Sequence, residues 1–352
     1  MALKLFVYIH MLLLIFMAGV CNAEYSAKVV SKVNRINSHG PYMGLVIPNA
    51  YEMDPLLDPS FFIVNKNVSY IDLSGRRFHV GTIADQKVIV VMTGLAMMNA
   101  AITTQLLLSF FKIKGVVHYG IAGNGNSDYP IGDVTIPRQW AHSGLWNWQR
   151  HGQGVNDELA LESNGDYTRK IGHIHFANYS TEEGVDNLLN NVWYNPDEIF
   201  PLSGTPEVRQ HAFWVNVSET YYNLAEQLKN ITLESCTNST TCLSTKPKIV
   251  KVERGCSASV YLDNASYRNF LHGKFNCTPI DMESAAVALV SLSMEKPFII
   301  IRALSDLAGG SSAGNEASIF ENLASKNAVI VVTKFFNLLS SVADKPTNFR
   351  ST

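Results

Sequence analysis

The 352 residues are 47% hydrophobic and 16% charged, with a formal net charge of −2. That balance suits a globular chain able to bury a large core. With no basic block, it argues against nucleic acid as the main partner. In chain order, the first predicted element is a leader. Lys4 precedes an apolar run from Leu5 to Val20, interrupted by Tyr8 and His10, and Cys21-Asn22-Ala23 supplies small residues at a cleavage point. This predicts a secretory signal peptide over residues 1–23; the run is shorter than the ~20 apolar residues of a membrane span. The mature chain, from Glu24, is expected to need no membrane.

From Tyr42 onward the pattern predicts an α/β unit. "MGLVIP" (43–48), "RRFHVGTI" (76–83) and "KVIVVMTG" (87–94) read as strands, the last apolar throughout and so buried on both faces. A helix is expected over 97–111, a buried strand running into a glycine loop over 115–123, and a strand closed by proline over 131–137. The middle, 139–245, is irregular and aromatic, with one helix at 218–230. Order returns with a strand at 249–254, a helix in 282–294, a strand at 297–302 and a closing helix in 316–341. Alternating strands and helices predict an α/β three-layer sandwich on a central mixed, twisted sheet, one domain over 24–352. Ligands of such sheets gather where strand ends meet glycine-containing loops.

Asn-x-Ser/Thr sequons at Asn67, Asn178, Asn216, Asn230, Asn238, Asn264 and Asn276 are candidate glycosylation sites, in keeping with export. Once Cys21 leaves with the leader, Cys236, Cys242, Cys256 and Cys277 remain. An even number in a short stretch predicts two disulfides. Of the three pairings, Cys236–Cys242 with Cys256–Cys277 is favoured, the first clipping an exposed insertion at 231–248. The spacing lacks the paired C-x₂-C hooks of a zinc site.

The ordered set "VIPNAYEMDPLL", "TGLAMMNAA", "YGIAGN", "IGDVTIP", "DMESAA" and "IRALSD" resembles the nucleoside phosphorylase/nucleosidase family. "HYGIAGN", "IGDVTIPRQWAH" and "GLWNWQR" behind a signal peptide look like its secreted plant branch, which holds bark and vegetative storage proteins besides nucleoside-cleaving enzymes. The resemblance implies a nucleoside phosphorylase-like fold, a purine-type nucleoside as partner, phosphate or water as the second reactant, no organic cofactor or metal, and a homo-oligomer. Cell wall, extracellular space and vacuole are the implied destinations.

Residue by residue, the resemblance makes Asp306 the acid at purine N7, oriented by Ser305. Glu283 would bind ribose hydroxyls above Met282, Glu52 would activate water, and Tyr261 would stack on the base. The family's anion end is altered: Ile121 stands where a hydroxyl residue is usual, and His118 where phosphorylases carry arginine. Thr93, Gly94, Gly123, Arg302 and His118 are the remaining candidates to hold an anion. His142, Trp146 and Trp148 either line the 5′ side of a substrate or pack a loop, packing being favoured. The departures leave two functions in view: cleavage of an N-glycosidic bond, or a nitrogen store whose site is vestigial.

Overall fold

The computed structural model describes residues 25–150, 152–157, 167–175, 191–310 and 314–343. The expected signal peptide and the sequon at Asn178 lie outside them. The chain forms two units, one up to His39 and one from Gly40. In the first, α1 (Ala27–Ser38) starts at Ser26, whose hydroxyl oxygen accepts the Val29 N–H.

The second unit opens with β1 (Tyr42–Ile47), α2 (Ala50–Met53), β2 (Ile63–Val64), β3 (Tyr70–Leu73), β4 (Arg76–Ile83), β5 (Gln86–Met92), α3 (Met97–Phe110), β6 (Ile113–Asn124) and β7 (Val134–His142). A middle region of short elements follows: β8 (Trp146–Trp148), α4 (Tyr167–Ile171), β9 (His173–His175), β10 (Asn191–Tyr194), β11 (Asp197–Ile199), β12 (Gln210–Ala212), β13 (Trp214–Asn216) and α5 (Glu219–Leu224). The chain then builds β14 (Ile249–Ser257), α6 (Ala265–Phe275), β15 (Cys277–Asp281), α7 (Ser284–Ser293), β16 (Phe298–Leu307) and α8 (Ala317–Ala343).

The main sheet is mixed. β1 lies parallel between β5 and β6, and β16 runs parallel to β6. β4 is antiparallel to β5, and β15 to β6. Every residue of β1 is buried, as are nine of the ten in β16, which is why β1 and the first four residues of β16 read as unbroken apolar runs. Neighbouring residues of β1 face opposite layers. Met43 meets the Tyr221 hydroxyl of α5, and Tyr221 packs edge-on against Phe335 of α8. Gly44 faces α3 so closely that a Cβ there would come within 2.7 Å of Leu107 Cδ2. Helices therefore cover both faces, giving the three layers.

Several boundaries differ from the sequence reading, β16 running to Leu307 past the expected 302 and β14 to Ser257 past 254. The helix expected at 218–230 is α5 followed by a 3₁₀ turn at Ala225–Leu228. The strand expected to stop at Pro137 continues to His142. On one side of β7, β16 pairs at Val134 and Thr135 while β13 pairs from Gln139 onward. Pro137 falls in the gap between them, where a missing N–H costs no ladder bond.

The irregular middle organises around aromatic rings. Tyr194 stands edge-on to Trp146 and Phe275, and Phe213 packs on Trp214 and Phe275. This satellite core sits over the Cys256–Cys277 disulfide, both cysteines being buried. The second disulfide joins Cys236 to Cys242. Its loop is mostly exposed yet anchored: the Glu234 N–H donates to Asn327 Oδ1 at 2.8 Å, and Asn327 Nδ2 donates back at 2.9 Å.

Candidate active site

Where β1, β6, β15 and β16 end, a cleft of about 280 Å³ opens. Glu52, Ile121, Gly123, Tyr261, Asp281, Met282, Glu283, Ser305 and Asp306 all line it. Its volume is near the lower end of small-molecule sites, roughly 300–1,000 Å³.

Glu52 owes its position to a reciprocal cap on α2. Its N–H donates to Asn49 Oδ1 at 3.2 Å, and its Oε2 accepts the Asn49 N–H at 3.2 Å, the capping-box pattern. The other carboxylate oxygen, Oε1, accepts the Ile121 N–H at 2.6 Å. Burial pushes the Glu52 pKa up to about 8, against the pull of Arg302 and of these amides.

Asp281 closes β15 and caps α7. Its Oδ1 accepts the Ser284 N–H at 3.1 Å and the Ser257 hydroxyl at 2.5 Å. Glu283, at the start of α7, reaches across to α3. The first helical turn there lacks a side-chain cap, and the Ala96 N–H donates to Glu283 Oε1 at 2.8 Å. Burial raises the Glu283 pKa to about 7, Arg302 again opposing.

Beneath these acids lies Arg302, on β16 and fully buried. Its Nε is 2.6 Å from Asp281 Oδ2 and donates to Ser284 Oγ at 3.0 Å. Nη1 is 3.6 Å from Glu52 Oε1, and Nη2 is 3.6 Å from Glu283 Oε2. One cation thus answers three buried carboxylates, the arrangement that lets acids stay inside a core. The close approach depends on a glycine: a Cβ on Gly120 would lie 2.1 Å from Arg302 Nη1.

At the far end of the cleft, Ser305 Oγ donates to Asp306 Oδ1 at 2.7 Å. Asp306 is 5% exposed, and burial raises its pKa above the ordinary aspartate value. Tyr261 lines this end, 64% exposed, and its partial burial, with nearby acids adding to it, raises its pKa. Met282 is half-buried on the cleft wall.

The candidates for an anion do not converge. Gly123 lines the cleft, but Thr93 and Gly94 line another cavity with Met53, Arg76, Arg77 and His79. Their amides already donate to Ile47 O and Pro48 O at 2.8 Å, and the Thr93 hydroxyl donates to Gly94 O at 2.6 Å. His118 is buried beside Arg302 and is not among the residues lining the cleft. His142 pairs with Asp197, and Trp146 packs on Trp148 and Tyr194, all away from the cleft. Asp281, Asn49 and Ser284 escaped the sequence reading. N-x-x-E at 49–52 and D-x-x-S at 281–284 were their visible cap signals.

The sequon asparagines Asn67, Asn216, Asn230, Asn238, Asn264 and Asn276 are themselves exposed. Among the described residues, no helix is long and apolar enough to cross a membrane and no cluster suited to a metal ion forms.

A family profile described as the phosphorylase superfamily matches residues 42–337. The chain belongs to this superfamily. Bark storage protein A of Populus deltoides is 34% identical over 297 residues, covering 84% of this chain and 88% of its own. A 5′-methylthioadenosine/S-adenosylhomocysteine nucleosidase of Bacillus cereus is 26% identical over 243 residues, 68% of this chain and 77% of the relative. Among solved structures, a nucleosidase of that name from S. pneumoniae, bound to a transition-state inhibitor, superposes with a TM-score of 0.57 at 15% identity. The match covers 85% of this chain and 100% of the other. The superfamily fold is thus shared with nucleosidases, and the chain is similar in sequence both to a bark storage protein and, at lower identity, to nucleosidases.

Proposed function

We propose that this superfamily member cleaves the N-glycosidic bond of purine-type ribonucleosides, with water as the acceptor. The observation that carries the reading is the gathering of Glu52, Glu283 and Asp306 around one cleft. Asp306, whose pKa burial raises, is the acid that gives its proton to N7 of the base as the C1′–N9 electrons leave with it. Glu283 accepts hydrogen bonds from the ribose hydroxyls, and the carboxylates stabilise the oxocarbenium character of C1′. Water attacks C1′ and yields its proton to ionised Glu52, a stronger base than a surface carboxylate because of its raised pKa.

Water is favoured over phosphate by charge. Among the described residues lining the cleft none is cationic, and Arg302 is already shared by three carboxylates. A phosphate dianion would enter against Glu52, Asp281 and Glu283 without a free partner. Adenosine, inosine and isopentenyladenosine are the substrates to try, with and without phosphate. Free ribose is the expected product; ribose 1-phosphate formed only with phosphate would refute hydrolysis. Asp306→Asn should lower the rate by about 10²–10⁴-fold with the fold unchanged by circular dichroism. A rate equal to the parent's would remove Asp306 from the role.

The 34% identity to bark storage protein A favours a second reading, a nitrogen store with a vestigial cleft. Absence of base release from all three nucleosides would leave that reading in place. Either role fits a chain exported after cleavage near residue 23 and glycosylated at exposed sequons, and assembled as a homo-oligomer. Intact mass of the secreted protein, before and after deglycosylation, checks the first two.

A further inference from the structure

Among the buried titratable groups the mechanism leaves without a task is a histidine beside Arg302. His118 sits on β6 with no exposed surface, facing β1 on one side and β16 on the other. Its Nδ1 is 2.8 Å from Val46 O, a carbonyl that only accepts, so Nδ1 carries the hydrogen. Its Nε2 meets Arg302 Nη2, a group that only donates, so Nε2 offers its lone pair. Both contacts therefore require the same neutral tautomer. Two residues on, Gly120 leaves the space that Nη1 occupies, and the Ile121 carbonyl accepts from Nη1 at 3.2 Å. Strand β6 thus presents a lone pair, a bare Cα and a carbonyl to the guanidinium in succession.

We propose that His118 and Gly120 are positioning residues, forming a cradle that fixes the Arg302 guanidinium between Glu52 and Glu283. The imidazole is not an anion ligand: its one free electron pair points at Arg302. Without that acceptor, Nη2 has Glu283 as its remaining neighbour at 3.6 Å, and the guanidinium swings toward that side. Glu52 then loses the cation that favours its ionised form. The charged and titratable groups around the cradle are Glu52 of α2, Asp281 at the end of β15, Glu283 beside it, and Arg302 of β16. Tyr119 of β6 joins them, its hydroxyl donating to the Glu52 carbonyl at 2.7 Å. From β1 comes the Val46 carbonyl.

The test compares His118→Leu, which removes the acceptor, with His118→Gln, whose amide oxygen reaches the same place, and with Gly120→Ala. The kinetic arm rests on the nucleosidase reading. There His118→Leu and Gly120→Ala are expected to lose about tenfold to a hundredfold in kcat, the effect of one charge-assisted contact. KM should stay near the parent value, and His118→Gln should recover most of the loss.

The second arm needs no turnover. The part of the fall of melting temperature with rising pH that Glu52 sets should extend to higher pH in His118→Leu and Gly120→Ala and stay in place in His118→Gln. Should His118→Leu not fold, Gly120→Ala presses directly on the Arg302–Glu52 pair, its Cβ falling 2.1 Å from Arg302 Nη1 and 2.2 Å from Glu52 Oε1. Equal pH profiles in the parent and both disrupting variants would overturn the proposal, as would a His118→Gln that behaves like His118→Leu. A shifted profile without activity in any variant would uphold the cradle and sink the nucleosidase reading alone.

Discussion

Glu52 and Glu283 are carboxylates whose environment raises their pKa values, to about 8 and about 7. The sign of the consequence is fixed by linkage. Between the ordinary glutamate range and these values, the folded chain keeps protons that the unfolded chain has released. Their contribution is therefore fully present below about pH 4.5, the unfolded value, and is lost as pH rises through 7 and 8. The melting temperature is expected to decline across that window. Glu52→Gln, which cannot ionise, should flatten the decline above pH 7. An unchanged slope, followed by calorimetry, would mean that Glu52 is already ionised in the folded chain. Arg302 shows what residue types conceal. From sequence it stood as a candidate to hold an anion; its contacts in the fold are Asp281, Glu283, Glu52 and His118.

At the scale of elements, α2 is a single turn whose geometry rests on Asn49. Asn49→Ala removes the acceptor for the Glu52 N–H and should cost about 0.5–2 kcal/mol in urea unfolding. Because the same turn aims Glu52 at Ile121, turnover should fall further than the stability loss alone accounts for. Equal losses would make Asn49 a helix cap and no more. Elements were legible where burial makes sequence periodic or continuous: β4 was read at its true bounds, and β1, β5, β6 and β16 within a few residues of theirs or shorter. The middle was illegible because β8 to β13 have three or four residues each, too few for periodicity to register. Their order comes from ring packing between Trp146, Tyr194, Phe213 and Phe275, contacts of long sequence separation. For the cleft, motif residues such as Glu52, Glu283 and Asp306 were visible, while Asp281 gains its part from Ser257 and Arg302, which no local pattern announces.

Across the whole molecule, the two disulfides differ in what they hold. Cys256–Cys277 closes a sequence separation of 21 between β14 and β15, directly before Ser257 and four residues before Asp281. Replacing both with serine should cost about 3 kcal/mol and depress turnover through Asp281. Cys236–Cys242 spans a separation of 6 in an exposed loop. Its removal should leave turnover intact, since the loop keeps its Asn327 anchor. Alkylation of unreduced protein should add no mass; four added groups would show both bonds absent.

The bond from Ala96 to Glu283 joins positions 187 residues apart. The carboxylate proposed to greet a sugar is therefore also what quiets the opening turn of α3. A ligand hydroxyl that competes for Glu283 Oε1 weakens its hold on that amide. Occupancy of the cleft would then be legible at a distance, as faster hydrogen exchange at Ala96 when a nucleoside binds. The first turn of α3 becomes a gauge of whether the site is filled, one that works even in a chain that never turns over.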